Sequence, residues 1–218
     1  MNYDRIYKYR FKGINQEKKI LTWKIIADFL YKELGKPKKI LDPACGLCEF
    51  INAVPSEEKW AIDLNDEFVS QYISKDVKKI IGNSLEVELP ENYFDAVFIS
   101  NFLEHLHSQE EVADFLQKMY KAIKPGGRIA VMGPNYKYMT KYYFDFADHT
   151  VVLSETGVAE HLYGAGFDDL KIVPKFLPMS FRSRFPVSKF LVNLYLRMPF
   201  AWKIVGKQFL LVGIKSQS

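Results

Sequence analysis

Ile40-Leu41-Asp42-Pro43-Ala44-Cys45-Gly46-Leu47-Cys48-Glu49-Phe50 is the stretch from which the rest of the chain can be organised. A short apolar run, Lys39-Ile40-Leu41, stops at Asp42-Pro43 and is followed by small residues at 44, 45, 46 and 48. Small residues let a backbone turn tightly and approach a ligand closely, and the start of a helix behind them offers unpaired N–H groups. Asp63 stands 21 residues after Asp42, at the end of the next apolar run. That interval suits a strand, a helix and a second strand, which brings the second carboxylate beside the loop, where it can accept both hydroxyls of a ribose.

Outward from this unit the same alternation continues. Apolar runs recur at 59–62, 79–81, 94–99, 128–132, 170–173 and 208–214, separated mostly by helix-like segments at 65–75, 108–122 and 154–164. Upstream, Ile20, Trp23, Lys24, Ala27, Leu30 and Tyr31 follow a 3.6-residue period, and Gly35 and Pro37 end the helix they predict over 15–34. Strands alternating with helices predict a doubly wound α/β fold with a mostly parallel, seven-stranded sheet, because each parallel crossover needs a helix to return on. Pro125-Gly126-Gly127 reads as the turn into the fifth strand. The prolines at 174, 178, 186 and 199 break the alternation. Residues 174–206 therefore read as a helical insertion and 208–214 as an antiparallel last strand, within a single domain (1–218) that opens on a helical segment (1–35).

Composition bounds the function. The chain has 218 residues, 48% of them apolar and 26% charged, with a net charge of +4. Fibrous and wholly disordered classes are excluded. The first residues lack the apolar run of a secretion signal, and no uncharged run of about 18 apolar residues occurs, so a cytoplasmic protein is expected. From Leu170 to Ser218 there are nine Lys or Arg and no acid, an imbalance that points to an anionic partner.

The motifs as a set resemble the class I S-adenosylmethionine-dependent methyltransferases, in their type 11-like form. Ile40–Phe50 is similar to that family's first motif. Asp63 matches the acid after the second strand, and Gly82-Asn83-Ser84 the adenine-contacting turn after the third. Phe94–Leu106 matches the fourth strand with its following motif, and Ile123–Arg128 the turn before the fifth. The resemblance covers about residues 36–175. It implies S-adenosyl-L-methionine as cofactor, held by Asp42, Ala44, Cys45, Gly46, Asp63, Leu64, Asn83, Ser84, Ser100, Asn101 and Phe102. Ala44 and Cys48 stand where the family usually has glycine, and Asn83 where it often has an acid. Ala44 and Cys48 also motivate an alternative, a catalytically silent cofactor-binding or interaction protein on the same fold. Cys45-Gly46-Leu47-Cys48 admits a thiol–disulfide oxidoreductase as well, but nothing in a redox site requires Asp42, Asp63 and the 100–106 segment.

A sulfonium methyl is already activated, so a base is needed only for a hydroxyl or a charged amine. His149 closes Asp145-Phe146-Ala147-Asp148-His149 in the loop that in this family usually lines the acceptor pocket. It is the expected general base, with Asp145 or Asp148 orienting it. His105, in the post-strand motif, is expected at the cofactor edge with catalysis as a second role, and His161 is expected to be structural. Asp145, Asp148 and His149 could also form a metal site, since they supply two oxygens and a nitrogen, but no metal is expected, because metal-dependent relatives carry an acid where this chain has Gly133-Pro134-Asn135-Tyr136.

DNA-base methyltransferases of this class carry an [Asn/Asp/Ser]-Pro-Pro-aromatic turn where this chain has Ser100-Asn101-Phe102-Leu103, so nucleic acid is not an expected partner. Val187, Phe190, Leu191, Leu194, Tyr195 and Met198 form an apolar stripe, with Lys189, Asn193 and Arg197 on another face and Trp202 and Lys203 following Pro199. The insertion is expected to cap the acceptor pocket, with peripheral membrane contact or subunit pairing as alternatives. A small anionic acceptor, such as a phosphorylated, nucleotide-linked or lipid-linked sugar methylated on oxygen, is expected to meet Asn135, Tyr136, Asp145, Arg182 and Arg184. Oligomeric state is left open by the sequence.

Overall fold

The computed structural model describes residues 3–10, 12–13, 16–178 and 188–217. The strands are β1 (Lys39–Asp42), β2 (Glu58–Asp63), β3 (Val77–Ile81), β4 (Phe94–Ser100), β5 (Ile123–Pro134), β6 (Phe167–Val173) and β7 (Gln208–Lys215). The helices are α1 (Tyr3–Arg10), α2 (Gln16–Glu33), α3 (Glu49–Ala53), α4 (Asp66–Tyr72), α5 (Gln109–Ala122), α6 (Tyr136–Met139), α7 (Glu155–Gly164), α8 (Lys189–Leu196) and α9 (Pro199–Val205).

One seven-stranded sheet has the order β3-β2-β1-β4-β5-β7-β6. β1 pairs in parallel with both β2 and β4, and β7 runs antiparallel between β5 and β6. The chain winds outward from β1 to β3, then crosses back to β4, so the strand order reverses between β1 and β4. Loops at the carboxyl ends of these two strands diverge there and leave a crevice. This is the doubly wound, mostly parallel fold expected, with its antiparallel last strand.

Side chains alternate across the sheet with period two. Ile40, Ala96, Phe98, Ala130 and Met132 face α2 and α3 on one side, packed with Trp23, Ile26, Ala27 and Leu30. Leu41, Val97, Ile99, Ile129 and Val131 face α5 and α7 on the other, packed with Phe115, Leu116, Met119 and Leu162. Each Val, Leu, Ile, Phe or Met among them, fully withdrawn from water, contributes about 1.5–3 kcal/mol. Ser108 and Ser154 start α5 and α7 by accepting the N–H of Glu111 and Gly157, which satisfies donors a helix leaves unpaired.

Two boundaries differ from expectation. The turn Pro125-Gly126-Gly127 is embedded in β5 as an irregularity, because Ile123 already pairs with Phe94 before Arg128 resumes the ladder opposite Ala96. A Cβ on Gly127 would lie 2.8 Å from the carbonyl oxygen of Asp95, so the close approach of the two strands there requires glycine. The insertion also docks by a different face than its stripe suggested. Tyr195 and Leu196 join the core beside Trp202 and Phe176, while Phe190, Leu191 and Leu194 of the expected stripe point outward. Trp202 stands edge-on to Phe176 at 5.1 Å and donates its indole N–H to the Tyr195 carbonyl, and this aromatic pairing outweighs the periodic apolar face. Val187 lies outside the described residues. Among the described residues no helix is long and apolar enough to cross a membrane.

Candidate active site

A cleft of about 1760 Å³ opens at the switch between β1 and β4. The loop after β1 forms its floor. Gly46 has φ +51° with no atom within 4 Å of where a Cβ would stand, so ligand atoms can approach its backbone. Cys48, at φ +60°, starts α3 and is fully buried. The left-handed conformation that glycine takes without cost is here imposed on a cysteine by packing.

Asp63, at the end of β2, accepts the Gly46 N–H at 2.8 Å and the Asn65 N–H at 3.0 Å. Burial raises its pKa, against these backbone donors that lower it. Asp42 is more deeply buried and is pushed up to about 8, mainly by burial and further by Asp63 and Glu49, against the Ala44 N–H. Asn83 accepts the Leu85 N–H and donates to Glu86, and Ser84 donates to the Pro43 carbonyl, tying the turn after β3 to the β1 loop. After β4, Asn101 takes φ +49° and leaves its side-chain oxygen buried with no hydrogen-bond partner. All eleven expected cofactor residues, Asp42, Ala44, Cys45, Gly46, Asp63, Leu64, Asn83, Ser84, Ser100, Asn101 and Phe102, line this one cleft.

They fit a cationic nucleoside sulfonium. A buried carboxyl held protonated at neutral pH gains by ionising next to a positive charge. The orphaned Asn101 oxygen and the open Gly46 backbone supply further polar contact points.

Beyond Asn101 the cleft continues between Glu104, His105, Tyr142, Asp145, Phe146, His149, Arg10 and Lys207. The His105 and His149 rings lie 5.0 Å apart. His149 is packed by Phe146 at 4.8 Å and Tyr143 at 4.9 Å. Burial, and then the charge of His105, push its pKa down to about 4. It is therefore unprotonated at neutral pH, but a base that weak has little driving force to take a proton from an alcohol.

The expected orientation of His149 by Asp148 is corrected by the contacts. Asp148 pairs with Arg10, and its backbone carbonyl lies 2.9 Å from Nδ1 of His105. Although burial raises the Asp148 pKa, the Arg10 hydrogen bond and the charge of His105 bring it below the ordinary carboxylate value. Asp145 lines the cleft.

Two expected acceptor contacts are overturned. Asn135 is completely buried and holds Glu155, the Pro174 carbonyl and the Lys137 N–H; these bonds consume its polar groups as the cap of α6. Tyr136 stacks edge-on against Tyr143 at 5.4 Å and is not among the residues facing the cleft. Arg182 and Arg184 lie outside the described residues. The described helices of the insertion, α8 and α9, do not line the cleft, which receives Lys207 and Gln208 from the start of β7 instead. His161 bonds Gln109 on the helical side of the sheet.

Cys45 and Cys48 are buried free thiols with sulfurs 3.7 Å apart. The hydrogen bond from Cys48, and then burial, push the Cys45 pKa up, the opposite of an activated redox thiol.

Glu104 was not singled out from the sequence. It is 1% exposed, its Oε1 has no hydrogen-bond partner, and burial raises its pKa. Its signal was an acid set in the otherwise apolar run Phe102-Leu103-Glu104. Arg10 had no local signal, because α1 meets the 145–149 loop only in the folded chain.

Residues 41–131 match the family described as methyltransferase domain. A demethylmenaquinone methyltransferase of Geobacillus sp. (strain WCH70) is 27% identical over 163 residues, 66% of this chain and 68% of the relative. The ubiquinone/menaquinone biosynthesis C-methyltransferase UbiE of Psychromonas ingrahamii is 29% identical over 135 residues, 55% of this chain and 52% of the relative, so the match spans about half of that protein. Among solved structures, a SAM-dependent methyltransferase from Archaeoglobus fulgidus superposes with a TM-score of 0.69 at 19% identity, covering 98% of this chain and all of that one. The family match falls on the strands and loops that build the cleft, so residues 41–131 are a methyltransferase domain, on a fold similar to that of S-adenosylmethionine-dependent methyltransferases.

Proposed function

We propose that the protein transfers the methyl group of S-adenosylmethionine to a hydroxyl of a small acceptor that carries an anionic group. The observation that supports this is the buried Glu104–His105–His149 cluster at the acceptor end of the cofactor cleft, with Arg10 and Lys207 beside it. When bound, the cofactor supplies an electrophilic methyl on sulfur. Asp63, Gly46 and Asn101 would hold its nucleoside and Asp42 its positive charge. On the acceptor side, His149, unprotonated at neutral pH, accepts the hydrogen bond of the hydroxyl and turns its lone pair toward the methyl. Lys207 attracts the anionic group, and Phe98, Phe102, Met139 and Phe146 exclude water from the line of transfer.

Radiolabelled cofactor incubated with an acidic metabolite fraction tests this. Label is expected in a base-stable methyl ether, and replacing His149 by Ala should lower transfer with cofactor affinity retained. Label on carbon would overturn it. Methylation of carbon is the second reading, favoured by the similarity to the C-methyltransferase of Psychromonas ingrahamii, and demethylmenaquinol offered as acceptor separates the two.

A further inference from the structure

We propose that Glu104, His105 and His149 bind one divalent transition-metal ion at the acceptor end of the cleft. One ligand atom from each residue lies within 4.8 Å of the other two. The carbonyl of Asp148 is only an acceptor, so the Nδ1 of His105 that meets it carries a proton, which leaves Nε2 as the nitrogen that can take a metal. That Nε2 faces Glu104 Oε1 at 4.0 Å. A ring N–H given to a backbone carbonyl is the arrangement that orients metal-ligating histidines.

Two orphaned atoms strengthen the assignment. Glu104 Oε1 and His149 Nδ1 are buried with no hydrogen-bond partner, a state that folded proteins seldom leave uncompensated. An ion would satisfy the carboxylate. Charge also favours it, since a dication would offset the buried Glu104 carboxylate that sits beside two imidazoles. Two nitrogens and one oxygen select zinc, iron, cobalt or manganese over magnesium or calcium. Ligand bonds of about 2.0–2.2 Å require the three atoms to close by about 1 Å.

Three protein ligands leave coordination positions open toward the cleft. The use of those positions rests on the hydroxyl acceptor proposed above; the binding of the ion does not. A hydroxyl coordinated there would lose its proton to solvent at neutral pH. The O–CH₃ bond then forms as the S–CH₃ bond breaks, and sulfur keeps the electron pair as a neutral thioether.

Titration of the metal-stripped chain with Co²⁺ tests the site without turnover. One equivalent is expected to remain after gel filtration, with visible absorption, and to broaden the ring resonances of His105 and His149 in the unmutated protein. Glu104→Gln and His149→Gln should each weaken binding at least 10-fold while S-adenosylmethionine still binds. Failure to retain Co²⁺ or Zn²⁺, or equal retention by both variants, overturns the proposal. Stoichiometric binding that leaves methyl transfer unchanged would leave the site standing and refute only its use in activating the acceptor hydroxyl.

A separate observation concerns α8 and α9. Phe190, Phe200 and Ile204 are 72%, 60% and 74% exposed, and Leu191, Leu194 and Val205 extend the same apolar surface. Lys189, Arg197 and Lys203 are exposed on these two helices, in a stretch from Leu170 to Ser218 that contains no acid. We infer that this pair of helices rests on an anionic lipid surface, because large apolar side chains flanked by uncompensated cations match the boundary between headgroups and acyl chains. Co-sedimentation with phosphatidylglycerol-containing vesicles is expected, but not with pure phosphatidylcholine, and should be lost with Phe190→Ser plus Phe200→Ser. Absence of sedimentation, or a dimer in solution that the same substitutions dissociate, would overturn it.

Discussion

The Asp63 carboxylate accepts the backbone N–H of Gly46 at 2.8 Å across 17 residues, so the end of β2 and the loop after β1 are held as one surface. Replacing Asp63 by Ala removes both this tie and the ribose acceptor. Binding of S-adenosylmethionine should weaken by about 1.5–3 kcal/mol, measured by calorimetry. Asp63→Asn, which can still accept from Gly46 but lacks the charge, should fall in between.

Asp42 links cofactor binding to protons. With a pKa of about 8 its carboxyl is protonated at pH 7, and a sulfonium arriving nearby favours the carboxylate. Binding should therefore release between about half a proton and one proton at pH 7, read from calorimetry in buffers of different ionisation enthalpy. Asp42→Asn should abolish the release. The neutral thioether product, S-adenosylhomocysteine, should release less.

His149 should make stability depend on pH. A histidine lowered from 6.5 to about 4 binds fewer protons folded than unfolded. Its contribution is complete above pH 6.5 and is lost as pH falls from there toward 4. The loss is on the order of 3 kcal/mol. His149→Phe keeps the aromatic packing against Phe146 and Tyr143, and should flatten the melting temperature over that interval.

Cys45 and Cys48 should behave as small packing residues. Both are buried, and Cys45 is held protonated. Iodoacetamide should label neither thiol in the native protein within the time that labels both in denaturant. The Cys45→Ala, Cys48→Ala double variant should retain methyl transfer within a few-fold. Reversible loss of activity on mild oxidation of the unmutated chain would contradict this.

The sheet, the cofactor loops and the single antiparallel strand were legible along the chain, because each rests on local chemistry. Period-two apolar runs make strands, small residues make the loop at 42–48, and the 21-residue step to Asp63 follows from the length of one strand–helix–strand unit. The acceptor half was not legible in this way. Asn135 and Tyr136 follow β5 as expected, yet the first is consumed by Glu155 and Pro174, and the second packs against Tyr143. Asp148 precedes His149 in sequence but turns to Arg10, a residue 138 positions away, and Glu104 became a candidate only once its burial beside two histidines was visible. The stripe on α8 faces outward because Trp202 and Phe176 compete for the same core. Sequence determined what local periodicity and chain length can encode. The partners of buried charges, and which apolar face is covered, depended on contacts between segments far apart in the chain, and only the tertiary structure decided them.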